Sequence, residues 1–223
     1  MKINFLGDSI TAGGHASSEE KRYTTLVCKA FGATENNYGV WSTRIAKQSN
    51  PTRHMDDKDF ITRAPMMDKE ANFVFVFGGT NDYGHGDAPL GNMEDASQYT
   101  FYGALKWLVE YLISVYGKEK LCFILPIHRV DENNPFGKDS QKTIAGEPLS
   151  RYVQAEREVF AHYGVDYLDT QDLMPEPPSK EENEWFKDGL HPTDKGHRLL
   201  ADTIIEYLQV KGLLMTNSKE FRA

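Results

Sequence analysis

Asp188 and His191 stand three residues apart in "WFKDGLHPTD" (185–194), in a turn made by Gly189 and Pro192 just before a C-terminal helical pattern. A carboxylate beside an imidazole is the orienting half of an acid–base relay, and such a relay needs a hydroxyl or thiol to activate. A candidate lies at the other end of the chain. Ser9, in "GDSITAGG" (7–14), follows Gly7 and Asp8 at a tight turn between a first strand and a helix, where a hydroxyl can stand exposed. An unassisted serine is a poor nucleophile; with His191 as base and Asp188 orienting it, Ser9 could attack a carbonyl. Read singly, Ser9 is also an ordinary helix N-cap, and Asp188 and His191 are ordinary turn residues.

The elements that must position these residues are legible as alternation. Short apolar runs of strand character occur at 2–7, 35–40, 72–79, 121–127 and 164–170. The third and fourth, "NFVFVFGG" and "LCFILPI", are nearly continuous in Val, Phe, Ile and Leu, as expected of strands buried on both faces. Helical periodicity lies between them. Tyr23, Leu26, Val27, Ala30 and Phe31 form one face before Gly32; the patterns at 97–116 and 148–163 follow, the latter stopped by Gly164. A last helix carries Leu200, Ala201, Ile204, Ile205 and Leu208, with Thr193 as N-cap and Gly212 as stop. Strand–helix alternation of this kind implies βαβ crossovers and a parallel sheet covered on both faces. The expected fold is a single α/β domain, a three-layer sandwich on a roughly five-stranded sheet, with a core at about 3–208 and a C-terminal tail at about 213–223. "PEPPSKEENE" (175–184) reads as an exposed loop, and the irregular region at about 128–147 is long enough to be functional or mobile.

In an open parallel sheet, ligands bind outside the carboxyl ends of the strands. The segments that follow the strands are therefore the informative ones: "GDSITAGG", "GVWST", "GGTNDYGHGD" and "HRVDENN", with the Asp188/His191 turn after the fifth. Taken in order, "GDSIT", the glycine of "NNYGVWS", "GGTND" and "DGLHP" resemble the SGNH hydrolases, the GDSL-type esterase and lipase superfamily, from residue 3 to about 208. The resemblance implies a flavodoxin-like SGNH hydrolase fold and a set of roles. Ser9 matches the nucleophile, His191 the base and Asp188 its partner. Gly39 matches the glycine whose N–H faces the oxyanion, and Asn81 the asparagine whose amide does the same; the Ser9 N–H makes a third donor. Such donors, held about 2.7–3.1 Å from a tetrahedral oxyanion, supply much of the catalysis of acyl transfer. This chain departs from the family after Gly39, where a second glycine is common and Val40, Trp41, Ser42 and Thr43 stand instead. The Ser, Asp, His order also occurs in α/β-hydrolases, but those set the serine in a G-x-S-x-G elbow, which Ser9 lacks.

The expected activity is a cofactor-free serine esterase passing through an acyl-enzyme, acting first on acetyl or other short acyl groups carried by a carbohydrate or similar polar alcohol. The alternatives are a lipase, lysophospholipase or thioesterase for longer chains and, in a different class, a non-catalytic phosphate- or flavin-binding domain. Activity is expected to rise through roughly pH 6–8 as the base loses its proton. His128 and Arg129 close the fourth strand and are pocket candidates; Trp41, Tyr83 and Trp185 flank the motifs and could form an acyl or sugar platform or pack in the core. Asp8 is expected to fix the turn and border the pocket, and His197 to be structural. His85, with Asp82 and Asp87 nearby, has no second His at a ligand spacing, so no metal is expected. A net charge of −8 argues against nucleic acid and anionic membranes as partners, leaving a small-molecule ester. No run approaches the roughly 20 apolar residues of a membrane span. Together with two cysteines in apolar settings, Cys28 and Cys122, expected to be buried free thiols, this points to the cytoplasm.

Overall fold

The computed structural model describes residues 1–49, 58–142 and 144–213. Five strands, β1 (Lys2–Gly7), β2 (Thr34–Gly39), β3 (Phe73–Phe77), β4 (Leu121–Ile124) and β5 (Asp166–Leu168), form one parallel sheet in the order β2-β1-β3-β4-β5. This is the flavodoxin-like, doubly wound order, and its switch point lies between β1 and β3. Why the central strands read as continuous apolar runs is visible in their side chains. Phe73, Phe75 and Phe77 of β3 enter one core and Val74 and Val76 the other, as do Cys122 and Ile124 against Leu121 and Phe123 in β4. A period of two on a sheet buried on both faces leaves no polar position. β2, "TENNYG", is an edge strand with no fully buried residue, which accounts for its polar sequence.

The α-helices of the described residues are α1 (Tyr23–Phe31), α2 (Phe60–Arg63), α3 (Thr80–Gly84), α4 (Phe101–Tyr116), α5 (Leu149–Tyr163) and α6 (Asp194–Val210). α1 and α6 pack on the face of Phe5 and Phe75, while α2, α4 and α5 cover the face of Leu6 and Val76, giving the three-layer sandwich. Gly32 and Gly164 end α1 and α5 in the left-handed region at φ 57° and 61°. The Thr100 and Thr193 hydroxyls accept the N–H groups of Gly103 and Gly196, so α4 starts at 101 rather than 97 and α6 starts where expected.

One local expectation fails. No helix follows β1 directly: residues 8–15 run as consecutive turns, closed by Ala12 N–H to Asp8 O (3.0 Å), Gly13 N–H to Ile10 O (3.1 Å) and Gly14 N–H to Ser9 O (2.7 Å). Ser9 is therefore not a helix N-cap. Its turn folds back so tightly on Gly7 that a Cβ there would lie 1.9 Å from Thr11 Oγ1. The described parts of 128–147 are irregular apart from a 3₁₀ turn at Lys138–Ser140. Of the expected tail, residues 214–223 lie outside the described residues. Cys28 and Cys122 are buried free thiols, and no described helix is long and apolar enough to cross a membrane.

Candidate active site

The carboxyl ends of β1 and β3 flank the switch point, and the segments leaving them carry Ser9 and Asn81. The turn before α6 reaches the same place. Across a sequence separation of 182, Ser9 Oγ lies 2.8 Å from His191 Nε2, and His191 Nδ1 lies 2.8 Å from Asp188 Oδ2. Asp188 is locked by its own turn, since Oδ1 accepts the N–H of His191 (2.8 Å) and of Leu190 (3.1 Å). Burial works to raise the Asp188 pKa, but the ring and backbone hydrogen bonds of His191, its charge and the Leu190 N–H together hold the carboxyl well below the usual range. An ionised carboxylate on Nδ1 selects the tautomer with its proton there, leaving the Nε2 lone pair to accept from Ser9 Oγ–H. Gly14 permits the close approach of the walls: a Cβ would lie 3.0 Å from the His191 ring and 3.2 Å from that of Trp41.

These groups open into a cavity of about 270 Å³ walled by Ser9, Ser42, Asn81, His191 and Trp41, with His15, His85, Lys138, Gln141, Asp188 and Leu190 completing it. Trp41 is 46% exposed, its ring 5.3 Å from that of His191, so it stands as a free aromatic face at the mouth. The irregular 128–147 segment supplies Lys138 and Gln141. His15, which the motifs did not flag, sits at the end of the turn carrying Ser9; its only signal is that "GDSITAGGH" is one segment.

Not every expected residue reaches the cavity. The Gly39 N–H, expected to face an oxyanion, donates instead to Asn37 Oδ1 at 2.8 Å, and Gly39 packs flat against Thr11 and Ala12. The residue of that connection which does line the cavity is Ser42, held in the left-handed region at φ 60°. Among the described residues neither the Ser9 nor the Ser42 N–H has a protein acceptor. Asn81 Nδ2 donates to Thr43 O at 3.0 Å and only loosely to Asp8 Oδ2 at 3.4 Å. Asp8 lies beneath the site, accepting the Ile10 N–H at 2.9 Å; burial pushes its carboxyl up to about 6 against that bond and the nearby His191, Arg63 and Arg129 charges.

Tyr83, His128 and Arg129 also leave the pocket wall. The Tyr83 ring is fully buried and its hydroxyl donates to Asp131 O, bracing the loop. Arg129 is buried over the Tyr83 ring with Nη1 on Thr80 O (2.9 Å), and His128 Nδ1 turns to Glu132 at 2.9 Å. Arg129 thus bonds to α3, while Tyr83 and His128 bond to residues 131 and 132 of the loop after β4. Trp185 packs with the α6 core, and His197 is wholly buried, its Nε2 on Gly14 O at 3.3 Å. His85 lines the cavity with its Nδ1 3.1 Å from Arg44 Nη1. The metal-ligand types that do converge among the described residues are His15, Asp188 and His191.

The chain is similar to several solved structures. A protein from Lactobacillus plantarum shares 26% identity with a TM-score of 0.74, over 94% of this chain and 96% of that one. A lipase/acylhydrolase from Enterococcus faecalis shares 20% identity at TM-score 0.62, over 94% and 96%. Est24, a carbohydrate acetylesterase from Sinorhizobium meliloti, shares 16% identity at TM-score 0.66, over 94% and 99%. No functionally curated protein matches the chain in sequence. Residues 5–199, from β1 into α6 and so through every motif above, match the GDSL-like lipase/acylhydrolase family, and the chain belongs to that family.

Proposed function

We propose that this acylhydrolase is a serine esterase that removes short acyl groups, acetyl first, from a carbohydrate or similar polar alcohol. The observation that carries the reading is the unbroken relay from Ser9 Oγ through His191 to Asp188, with two links of 2.8 Å. In this mechanism His191 Nε2 takes the Ser9 proton as Oγ attacks the ester carbonyl, and Asp188 stabilises the imidazolium that forms. The oxyanion is received by the Ser9 N–H, the Ser42 N–H and the loosely held N–H of Asn81. Ser42 stands here in place of Gly39, whose N–H is already used. The alcohol leaves with the proton from His191, and water, deprotonated by the same nitrogen, releases the acid and restores Ser9.

The cavity supports the choice of substrate. Its walls are polar except for Leu190 and Trp41, and its volume sits below the roughly 300–1,000 Å³ of drug-sized ligand sites, so an octanoyl chain has no apolar wall to follow. An exposed indole at the mouth suits stacking against a sugar face. The shared fold with Est24, a carbohydrate acetylesterase, makes that class the first to assay.

The test is hydrolysis of p-nitrophenyl esters from acetate to octanoate by the wild type and Ser9→Ala at equal folded concentration. We expect a maximum at acetate and a loss of about a thousandfold or more in the variant. A maximum at octanoate would favour a lipase or thioesterase, and equal rates in both proteins would remove the serine mechanism in favour of a binding domain.

A further inference from the structure

His15 offers the site a nitrogen that the proposed relay does not use. Its Nε2 lies 3.6 Å from Asp188 Oδ2, on the same oxygen that receives the His191 ring, and the two imidazole centroids are 5.0 Å apart. Donor atoms of His15, Asp188 and His191 all fall within 4.8 Å of one another. The residue is held in place rather than dangling. Its backbone sits in the left-handed region at φ 63°, the turn that contains it is closed by Ala16 N–H to Gly13 O (3.0 Å), and Ser17 is tied through N–H and hydroxyl to Asp194 at the start of α6. With a side chain 43% exposed, His15 remains open to solutes.

We propose that His15, Asp188 and His191 form a binding site for a divalent transition-metal ion of the zinc type, and that filling it switches the esterase off. Two imidazoles and one carboxylate are a recurrent zinc set, with metal–ligand distances near 2.0–2.2 Å and a fourth position left to water. Donors on a tetrahedral ion then stand about 3.4 Å apart. The His15–Asp188 separation of 3.6 Å meets this directly, and the His191–Asp188 link widens from 2.8 Å as the ion replaces the shared proton. Magnesium and calcium favour shells of oxygen ligands and are poorly served by two nitrogens. Both thiols are buried, so neither Cys28 nor Cys122 draws the metal elsewhere.

The loss of activity follows from proton placement and rests on the reading of His191 as the general base. A neutral imidazole carries one proton. With Nδ1 on the ion, that proton moves by way of solvent to Nε2, so Ser9 Oγ meets a donor instead of an acceptor and its own proton has nowhere to go. At His191 an Nδ1–zinc bond replaces the Nδ1–H bond and an Nε2–H bond forms, so the ring releases no net proton, while the three protein donors displace waters from the hydrated ion.

Metal-stripped protein is titrated with Zn²⁺ by calorimetry and, in parallel, assayed on p-nitrophenyl acetate. Binding is expected at one site in the micromolar range, with inhibition over the same range, reversal by EDTA and no effect of Mg²⁺. His15→Asn, chosen because asparagine tolerates a left-handed backbone, is expected to weaken binding by about tenfold or more, with inhibition expressed against the variant's own metal-free rate; His15→Gln serves as a second variant. His162→Ala, which removes an imidazole at the far end of α5, is expected to keep wild-type affinity. Zinc affinity unchanged in both His15 variants, or no binding at all, would overturn the site even in an active esterase. His15-dependent binding in a protein without esterase activity would keep the metal site and overturn the base assignment together with the inhibition.

Discussion

Two aspartates at the carboxyl edge of the sheet each accept a pair of backbone N–H bonds: Asp188 from Leu190 and His191 (3.1 and 2.8 Å), Asp82 from Ile45 and Ala46 (both 2.9 Å). Their charges respond in opposite ways. Asp82 is buried, and that burial pushes its carboxyl up to about 6 despite both N–H bonds and the nearby Arg44 and Lys142. Asp188 keeps a side chain 35% exposed and has the His191 ring as an added partner, so its carboxyl is held down. The same pair of backbone donors thus accompanies a carboxyl held down where water and an imidazole share its charge, and one pushed up where neither does. The first is suited to orient a base. The second ties the segment after Ser42 to α3, the helix that carries Asn81.

The sharpest test of this contrast is Asp188→Asn. The asparagine oxygen can still accept from Leu190 and His191, but it no longer fixes the His191 tautomer by charge. We expect kcat/KM to fall by about 10⁴ with a melting temperature close to that of the wild type. A variant that loses stability instead of activity would give Asp188 the structural role assigned to Asp82. Asp82→Asn is expected to do the reverse. One of two buried N–H groups loses its acceptor, costing about 1–3 kcal/mol in urea unfolding, while the activity of the folded fraction falls far less than in Asp188→Asn.

The smallest expected effect is in pH dependence. Asp82 and Asp8 have folded pKa values raised to about 6 from 3.8, so the folded state keeps protons that the unfolded chain releases across that window. Their contribution to stability is complete below the unfolded value and is lost as pH rises through about 6. Glu156, raised by burial, acts in the same direction; His197, lowered by burial to about 4, acts in the opposite one. Asp188 belongs to the other class, its contribution present above the unfolded value and lost only as pH falls below it. Comparing the wild type with Asp82→Asn cancels the shared groups. Between pH 4 and 6 the variant's stability should decline less steeply, by at most about 1.4 kcal/mol per pH unit, read from urea midpoints.

Much of this was legible in the chain because the relevant signals are local. Alternation in "NFVFVF", a glycine at each of the ends of α1 and α5, and Thr193 before α6 each follow from the geometry of a few consecutive residues. Local signals misled where a neighbour in space changed the outcome. Ser9 has the sequence of an N-cap, yet the backbone after it closes into turns around Asp8 and Gly14. Gly39 stands where an oxyanion donor was expected, yet Asn37, two residues earlier on the same edge strand, takes its N–H.

Read along its length, the chain placed the alternating strands and helices, the segments that meet at the sheet's carboxyl edge, and the residue types able to do acyl chemistry. It did so because periodicity, capping and motif order are properties of neighbours along the chain. Which polar groups face the cavity was settled in three dimensions. Arg129, Tyr83 and His128 found acceptors in the scaffold and turned away, while His15, Ser42, His85, Lys138 and Gln141 lined the space left open. That choice is a competition among partners far apart in sequence, and burial sets its terms, as it does for the two aspartates.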